Sequence, residues 1–240
     1  MKRAMSLVWS RVAWDALFAR AYNRTASKLI EGPYTSLAET LRTDFGIALD
    51  ALPRGSVVLD SGCGPGHVTV RLARDLPQAT VVGLDFSATM LGLGATTLAA
   101  SKTRNWRLIQ GDSHHLPFGE GSFDLVLSSG ALKNWADPVA CLNEMYRVAK
   151  PNATVVLAEV NREATREEKD SWKRNLERVL AGRPIGRRVR TWVFENIVLR
   201  TSFGPRDVEA IAGKTSFRDI RLGPVRGYPL FLALMRKAGR

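Results

Sequence analysis

The sequence predicts an α/β fold built on a doubly wound, mainly parallel sheet, and three observations carry that expectation. Apolar runs of strand length alternate with longer segments of helical spacing between Ser56 and Val160; Gly62, Gly64 and Gly66 join the first run to the first helix; and the runs end in polar residues, Asp60, Asp85, Asp112, Ser128 and Glu159. Strands separated by helices lie parallel, because a parallel pair needs a long crossover. Ligands of such sheets sit outside the carboxyl ends of the strands, where those five polar residues fall.

Taken in order, residues 5–24 read as a helix with Trp14, Phe18 and Tyr22 along one face and Arg3, Arg11, Arg20 and Arg24 keeping it basic. A docking helix, a substrate lid and an interfacial membrane helix all fit that pattern. Pro33 opens a second helical pattern, with Leu37, Leu41, Phe45 and Leu49 every four residues, which Pro53-Arg54-Gly55 ends. The core then reads as strands 56–60, 80–85, 106–110, 123–128 and 153–160 and helices 66–76, 87–100 and 138–149. In the turn Pro151-Asn152-Ala153, Asn152 is expected in the left-handed conformation, which Asn tolerates best after Gly. A charged, helical insertion follows from Asn161 to Ser202, its apolar face formed by Trp172, Leu176, Val179 and Leu180. A short helix from Pro205 to Gly213 and strands 217–222 and 228–235 close the chain. The expected division is an N-terminal helical cap (1–52), a cofactor-binding core (53–160), a helical lid (161–202) and a C-terminal helix with two strands (203–240).

With 240 residues, 45% of them hydrophobic, the chain suits one α/β domain with additions. Cys63 and Cys141 form neither a disulfide framework nor a metal-binding spacing, which suits a reducing, cytoplasmic setting. Met1-Lys2-Arg3 starts like a signal peptide, but Arg11 and Asp15 interrupt the apolar run, and no stretch reaches membrane-spanning length. The net charge of +12 admits an anionic small molecule, an anionic membrane surface or nucleic acid as partner, and equally a merely solvated basic surface. Part of the excess is local, because arginine dominates from Arg183 to Arg206.

Glycine accepts positive φ and has no Cβ, so the loop from Gly62 to Gly66 can turn sharply and let a nucleotide-like ligand lie against backbone N–H groups. A glycine-rich connector alone would need none of this; Asp85, roughly 20 residues on, is what a ribose-binding βαβ unit adds. Val57 to Gly66 resembles motif I of the class I S-adenosylmethionine-dependent methyltransferases, apolar residues followed by Asp-x-Gly-Cys-Gly-x-Gly. Gly83-Leu84-Asp85-Phe86-Ser87 is similar to that family's acidic second motif, and Gly111 to Phe118 and Gly121 to Val126 resemble the next two. The resemblance runs from Val57 to Val160 and is nearest the small-molecule and lipid-quinone branch. It implies a Rossmann-like methyltransferase fold, a seven-stranded sheet closed by an antiparallel hairpin, with S-adenosylmethionine as cofactor. Position by position, it implies that Gly62, Gly64 and Gly66 back the methionine part, Asp85 takes the ribose hydroxyls, Phe86 packs on adenine, and Asp112 with Ser113 meets the adenine amino edge. Asp60 would orient the loop or the cofactor ammonium, and Ser129 and Tyr22 are further contacts, Tyr22 lying in an aromatic segment that in this branch folds over the cofactor.

Methyl transfer is an in-line displacement, so positioning supplies much of the catalysis. The segment Ser128-Ser129-Gly130-Ala131-Leu132-Lys133-Asn134-Trp135 is expected to face the donor methyl. Relatives often carry histidine at the position of Asn134; its absence leaves Lys133, Asn134 and Trp135 as the candidate catalytic residues, with Glu159 as a further determinant of shape and polarity. Trp135 reads equally as a substrate-stacking ring and as packing under the next helix. His114 and His115 draw attention because imidazole is a common general base, but the family places polar residues there beside adenine. No Pro-Pro-aromatic motif follows the fourth strand, and neither cysteine sits on a substrate loop, which argues against DNA amino-methylation and base-carbon methylation. The expected function is methyl transfer to a small-molecule acceptor, anionic or amphiphilic, with no metal and with peripheral membrane contact as an option. The alternatives are a lipid, quinone or RNA substrate at an anionic surface, or a cofactor-binding module without catalysis. The N-terminal helix and the 161–202 insertion are expected to form a mobile cover over the acceptor pocket.

Overall fold

In the computed structural model, described over residue 23 and residues 31–179, 191–192 and 194–239, a seven-stranded sheet is flanked by helices. The strands are β1 Val57–Ser61, β2 Thr80–Asp85, β3 Trp106–Gln110, β4 Phe123–Ser129, β5 Ala149–Val160, β6 Asp219–Pro224 and β7 Leu230–Arg236. The main helices are α1 Glu31–Thr43, α2 His67–Asp75, α3 Ala88–Ala100, α4 Pro138–Val148, α5 Arg166–Val179 and α6 Pro205–Ala212. The order across the sheet is β3-β2-β1-β4-β5-β7-β6, with β1 to β5 parallel and β7 antiparallel to both β5 and β6. The chain winds one way from β1 to β3 and then returns to place β4 on the other side of β1. Between the carboxyl ends of β1 and β4 the loops therefore diverge and leave a crevice.

The alternation of strand side chains builds two cores. Val58, Val81, Leu125, Leu127 and Val156 pack on one face with Leu37 and Leu41 of α1 and Leu72 of α2; Leu59, Val82, Leu84, Val126, Val155 and Leu157 pack on the other with Leu142, Met145 and Val148 of α4 and Val208 of α6. Burial on both faces explains why these strands read as continuous apolar runs. Each fully buried aliphatic side chain contributes about 1.5–3 kcal/mol relative to exposure, so this double core dominates stability. Helix α4 starts where the sequence directs it: the Asp137 carboxylate accepts from the Val139 and Ala140 N–H groups, and Pro138 occupies the first turn.

The period-four pattern from Leu37 to Leu49 marks burial but not one helix. Helix α1 stops at Thr43, Gly46 takes φ +69°, and the Ile47 N–H closes onto the Leu41 carbonyl at 2.8 Å; Phe45 and Leu49 are buried from outside the helix. Gly46 wins because a left-handed residue ends a helix at little cost when it lacks a Cβ. The closing hairpin is present, its strands beginning two residues later than the pattern suggests. Strand β5 starts early, at Ala149, running through the turn in which Asn152 adopts φ +64° as expected.

The described part of the insertion packs on itself. The ring of Trp172 on α5 lies 5.1 Å from Phe194, Leu176 is buried, and Lys173 Nζ meets Glu195 at 2.7 Å. Its ends are tied to the hairpin side of the sheet, with the Asn161 N–H donating to the Pro229 carbonyl and the Arg162 N–H to that of Phe203. Leu180, Tyr22 and the expected 5–24 helix apart from Asn23 lie outside the described residues. No described helix is long and apolar enough to cross a membrane.

Asn152 at φ +64° supplies a direct test of the local reading. Asn152→Val should lower unfolding free energy by about 1–2 kcal/mol, the cost of a Cβ-branched residue in the left-handed region, whereas Asn152→Gly should be neutral or slightly stabilising. Urea denaturation midpoints of the two variants check this.

Candidate functional site

The site grows from the carboxyl end of β1. Asp60 is buried, and its Oδ2 accepts from Thr69 Oγ1 at 2.6 Å; the Thr69 backbone N–H donates to the same carboxylate. Gly66 precedes α2 in a left-handed conformation with no capping side chain, so Asp60 does the capping from the strand below. Burial, with the charge of Asp85 adding to it and the bonds from Thr69 opposing it, lifts the Asp60 carboxyl to about 7. Gly62, Gly64 and Gly66 all have positive φ, and a Cβ on Gly62 would meet the Cβ of Ala131 at 2.6 Å, so the loops leaving β1 and β4 touch across the crevice through this glycine.

The loop differs from the sequence expectation in one respect. Its amides do not lie open to a ligand: the N–H groups of Gly62 and Cys63 donate to the Leu84 carbonyl, that of Gly64 to Asp85 Oδ2 at 2.8 Å, and that of Gly66 to the Cys63 carbonyl. The glycines shape the cavity rather than donate into it. Asp85 holds the Gly64 N–H with Oδ2 and the Ser87 N–H with Oδ1. Both carboxylate oxygens thus brace the loop and the start of α3 from the end of β2.

A cavity of about 220 Å³ brings the predicted residues together: Asp60, Gly62, Gly64, Asp85, Phe86, Asp112, Ser113 and Ser129 share its wall with Lys133, Asn134 and Trp135. Gly66 stands behind the wall, where its Cα faces Gly94 of α3, and Tyr22 lies outside the described residues. Phe86, on the cavity lining, is 51% exposed. Ser129 lines the cavity, whereas Ser128, expected to face the same way, is fully buried with an unbonded hydroxyl, because adjacent strand residues point to opposite faces.

Ser113 is turned inward, its hydroxyl 2.9 Å from that of Ser61, so it reaches the cavity wall with its polar atom already engaged. His114 is engaged at both nitrogens. Its Nδ1 lies 2.6 Å from Asp112 Oδ1 and its Nε2 accepts from the Asp137 N–H at 3.1 Å, which places the proton on Nδ1. That ring fixes Asp112 and the start of α4 and has no lone pair left for base catalysis.

Glu159 is the residue whose place in the sequence said least about its task. Nearly inaccessible at the end of β5, it accepts the Leu132 N–H at 3.0 Å and so shapes the turn that presents Lys133, Asn134 and Trp135. Burial raises its carboxyl to about 7, against the backbone bonds and the nearby Lys133 charge; burial in turn pulls the Lys133 ammonium down. Trp135 belongs to the core cluster that includes Cys141 and Leu142, as the packing reading expects, and it also lines the cavity. His67, which sequence reasoning passed over, also lines the cavity; its signal was its position directly after the third glycine. Among the described residues no cluster of His, Cys, Asp and Glu could hold a metal.

Residues 52–196, which hold this entire cavity, match a methyltransferase domain family. The chain belongs to that family. Two relatives of this methyltransferase domain are the demethylmenaquinone methyltransferases of Shouchella clausii, 39% identical over 108 residues (45% of this chain, 46% of the relative), and Lactiplantibacillus plantarum, 42% identical over 107 residues (43% and 45%). The matches thus span about half the length of these curated relatives. Among solved structures, a SAM-dependent methyltransferase from Aquifex aeolicus superposes with a TM-score of 0.62 at 16% identity, covering 86% of this chain and 98% of its own; it supports the fold, including the seven-stranded, mainly parallel sheet.

The two carboxyls at about 7 tie stability to pH in this methyltransferase domain. Their folded values stand above ordinary unfolded values near 4, so the folded state binds the extra protons between. Their contribution is fully present below about pH 4 and is lost as pH rises through 7. Between pH 5 and pH 8 the wild type should therefore lose on the order of 2 kcal/mol per group relative to Asp60→Asn or Glu159→Gln. Urea unfolding at the two pH values, compared between wild type and each variant, measures the difference.

Proposed function

We propose that this chain is an S-adenosylmethionine-dependent methyltransferase acting on a small amphiphilic acceptor of the quinone type. The observation that carries the reading is one cavity in which the glycine loop, Asp85 and Asp112 meet Lys133, Asn134 and Trp135; we assign the first group to the cofactor and the second to the acceptor. The residues present fit the cofactor: the glycine loop lets the walls of the cavity approach closely at Gly62, an acid, Asp85, stands at the end of β2 on that wall, and the half-exposed ring of Phe86 lies beside it. Bound there, S-adenosylmethionine would supply a methyl group on a positively charged sulfur. Buried Asp60 and Glu159 favour a cationic guest over a neutral one, because an ionised carboxylate out of water gains most from a nearby positive charge.

On the acceptor side, the chain's own task is positioning. Glu159 holds the turn, Trp135 gives a flat apolar surface, and Lys133, whose ammonium burial pulls down against the pull of Glu159, is the group we assign to proton transfer at an acceptor hydroxyl. The names of the two bacterial relatives support a quinone-type acceptor. The helical insertion, tied at its ends beside β7, is the cover we assign over the acceptor, with the reducing cytoplasm as the setting that two buried, unbridged cysteines suit.

Purified protein should bind S-adenosylmethionine by calorimetry and methylate reduced demethylmenaquinone. Asp85→Ala should weaken cofactor binding by about 1.5–3 kcal/mol, the value of a charged hydrogen bond. Lys133→Ala or Trp135→Phe should lower turnover by about tenfold or more while cofactor affinity stays nearly unchanged. Cofactor binding without methylation of the quinol would overturn the acceptor class; no cofactor binding would overturn the whole reading.

A further inference from the structure

His67 opens α2 immediately behind the glycine loop and is only 7% exposed, yet its Nε2 has no hydrogen-bond partner while the residue lines the cavity. The other ring nitrogen is held by the Asn23 backbone. That bond favours the protonated ring, so the backbone partner is the carbonyl and Nδ1 carries the donated proton. Burial outweighs it and lowers the imidazole below its usual value, leaving the ring neutral near pH 7. A neutral imidazole with Nδ1–H tied to a carbonyl presents one acceptor lone pair, on Nε2. A buried acceptor left unmatched is costly, and a functional site is where such a group persists.

The ligand that satisfies it must offer a donor. On the proposed function, on which this inference rests, ribose hydroxyls go to Asp85 and the adenine edge to the Asp112 region. The loop amides from Gly62 to Gly66 are consumed within the protein. The amino-acid end of the cofactor has one strong donor, the α-ammonium, which needs acceptors, and the unmatched Nε2 on the cavity wall is one. We propose that His67 is a binding residue for that ammonium, Nε2 accepting its hydrogen bond, and that Asn23 fixes the tautomer that makes this acceptor available. Asn23 thereby takes part in selecting the amino-acid end of the cofactor through His67.

The test compares two probes by calorimetry: S-adenosylhomocysteine, which carries the amino-acid end, and methylthioadenosine, which lacks it. His67→Phe should weaken S-adenosylhomocysteine by about 10- to 100-fold, the range for a hydrogen bond to a charged group, and leave methylthioadenosine within about threefold. His67→Gln, whose carbonyl oxygen can occupy the Nε2 position, should recover most of the loss. Equal weakening of both probes by His67→Phe would reveal a packing role and overturn the proposal, as would unchanged affinity for S-adenosylhomocysteine. Failure of the unmodified protein to bind S-adenosylhomocysteine would instead overturn the methyltransferase reading itself, which keeps the two failures apart.

Discussion

The contact between the Asp60 carboxylate and Thr69, 2.6 Å from hydroxyl to Oδ2 and entirely removed from water, fixes the geometry of everything at the carboxyl end of the sheet. A helix that starts at a left-handed glycine has orphan N–H groups, and here they face a strand end rather than a capping side chain. Asp60 answers part of that need and in doing so pins α2 to β1, which sets the span the glycine loop must cross. Gly83, paired with Asp60 on the neighbouring strand, makes the room: a Cβ there would press on the Cys63 sulfur, the Thr69 hydroxyl and Leu108. The Gly62 contact with Ala131 then carries the constraint across the crevice to the β4 side.

That chain of contacts explains which features could be read from residue order. Asp60, Gly62, Gly83 and Asp85 answer to local backbone geometry, so their spacing showed a strand, a tight loop and a second strand ending in an acid. The two-faced cores were equally legible, because alternation along parallel strands leaves no polar face. What the order of residues could not show was direction within a shared neighbourhood. Ser113 turned to Ser61, Ser128 turned away from Ser129, and the loop amides found carbonyls and Asp85 inside the protein. Each depends on residues tens of positions away. The break of α1 at Gly46 is a different kind of miss, since burial period alone does not distinguish a helix from a helix followed by a packed loop.

Glu159 shows the same division of labour on the acceptor side. Its position at a strand end marked it as facing the ligand, yet its carboxylate is committed to the Leu132 N–H of the following turn. The catalytic candidates Lys133, Asn134 and Trp135 therefore owe their placement to an acid 24 or more residues later in the chain. On the proposed function such a carboxylate would act on an acceptor only by holding the turn that meets it, and its loss would disturb cofactor side and acceptor side unequally.

The overall charge and the local charge of the site run in opposite senses. The chain carries +12, but the buried acids at the site are Asp60 on the cavity wall and Glu159 under the neighbouring turn, both lifted to about 7 by burial. Near neutrality each is poised to give up its proton when a positive charge arrives and to take one back when it leaves. A sulfonium bearing an ammonium should thus bind with proton release, and the neutral thioether left after methyl transfer should not hold those carboxylates ionised as strongly. On the proposed function, the exchange of a cation for a neutral product would be coupled in this way to reprotonation of the site, which would favour release of the spent cofactor.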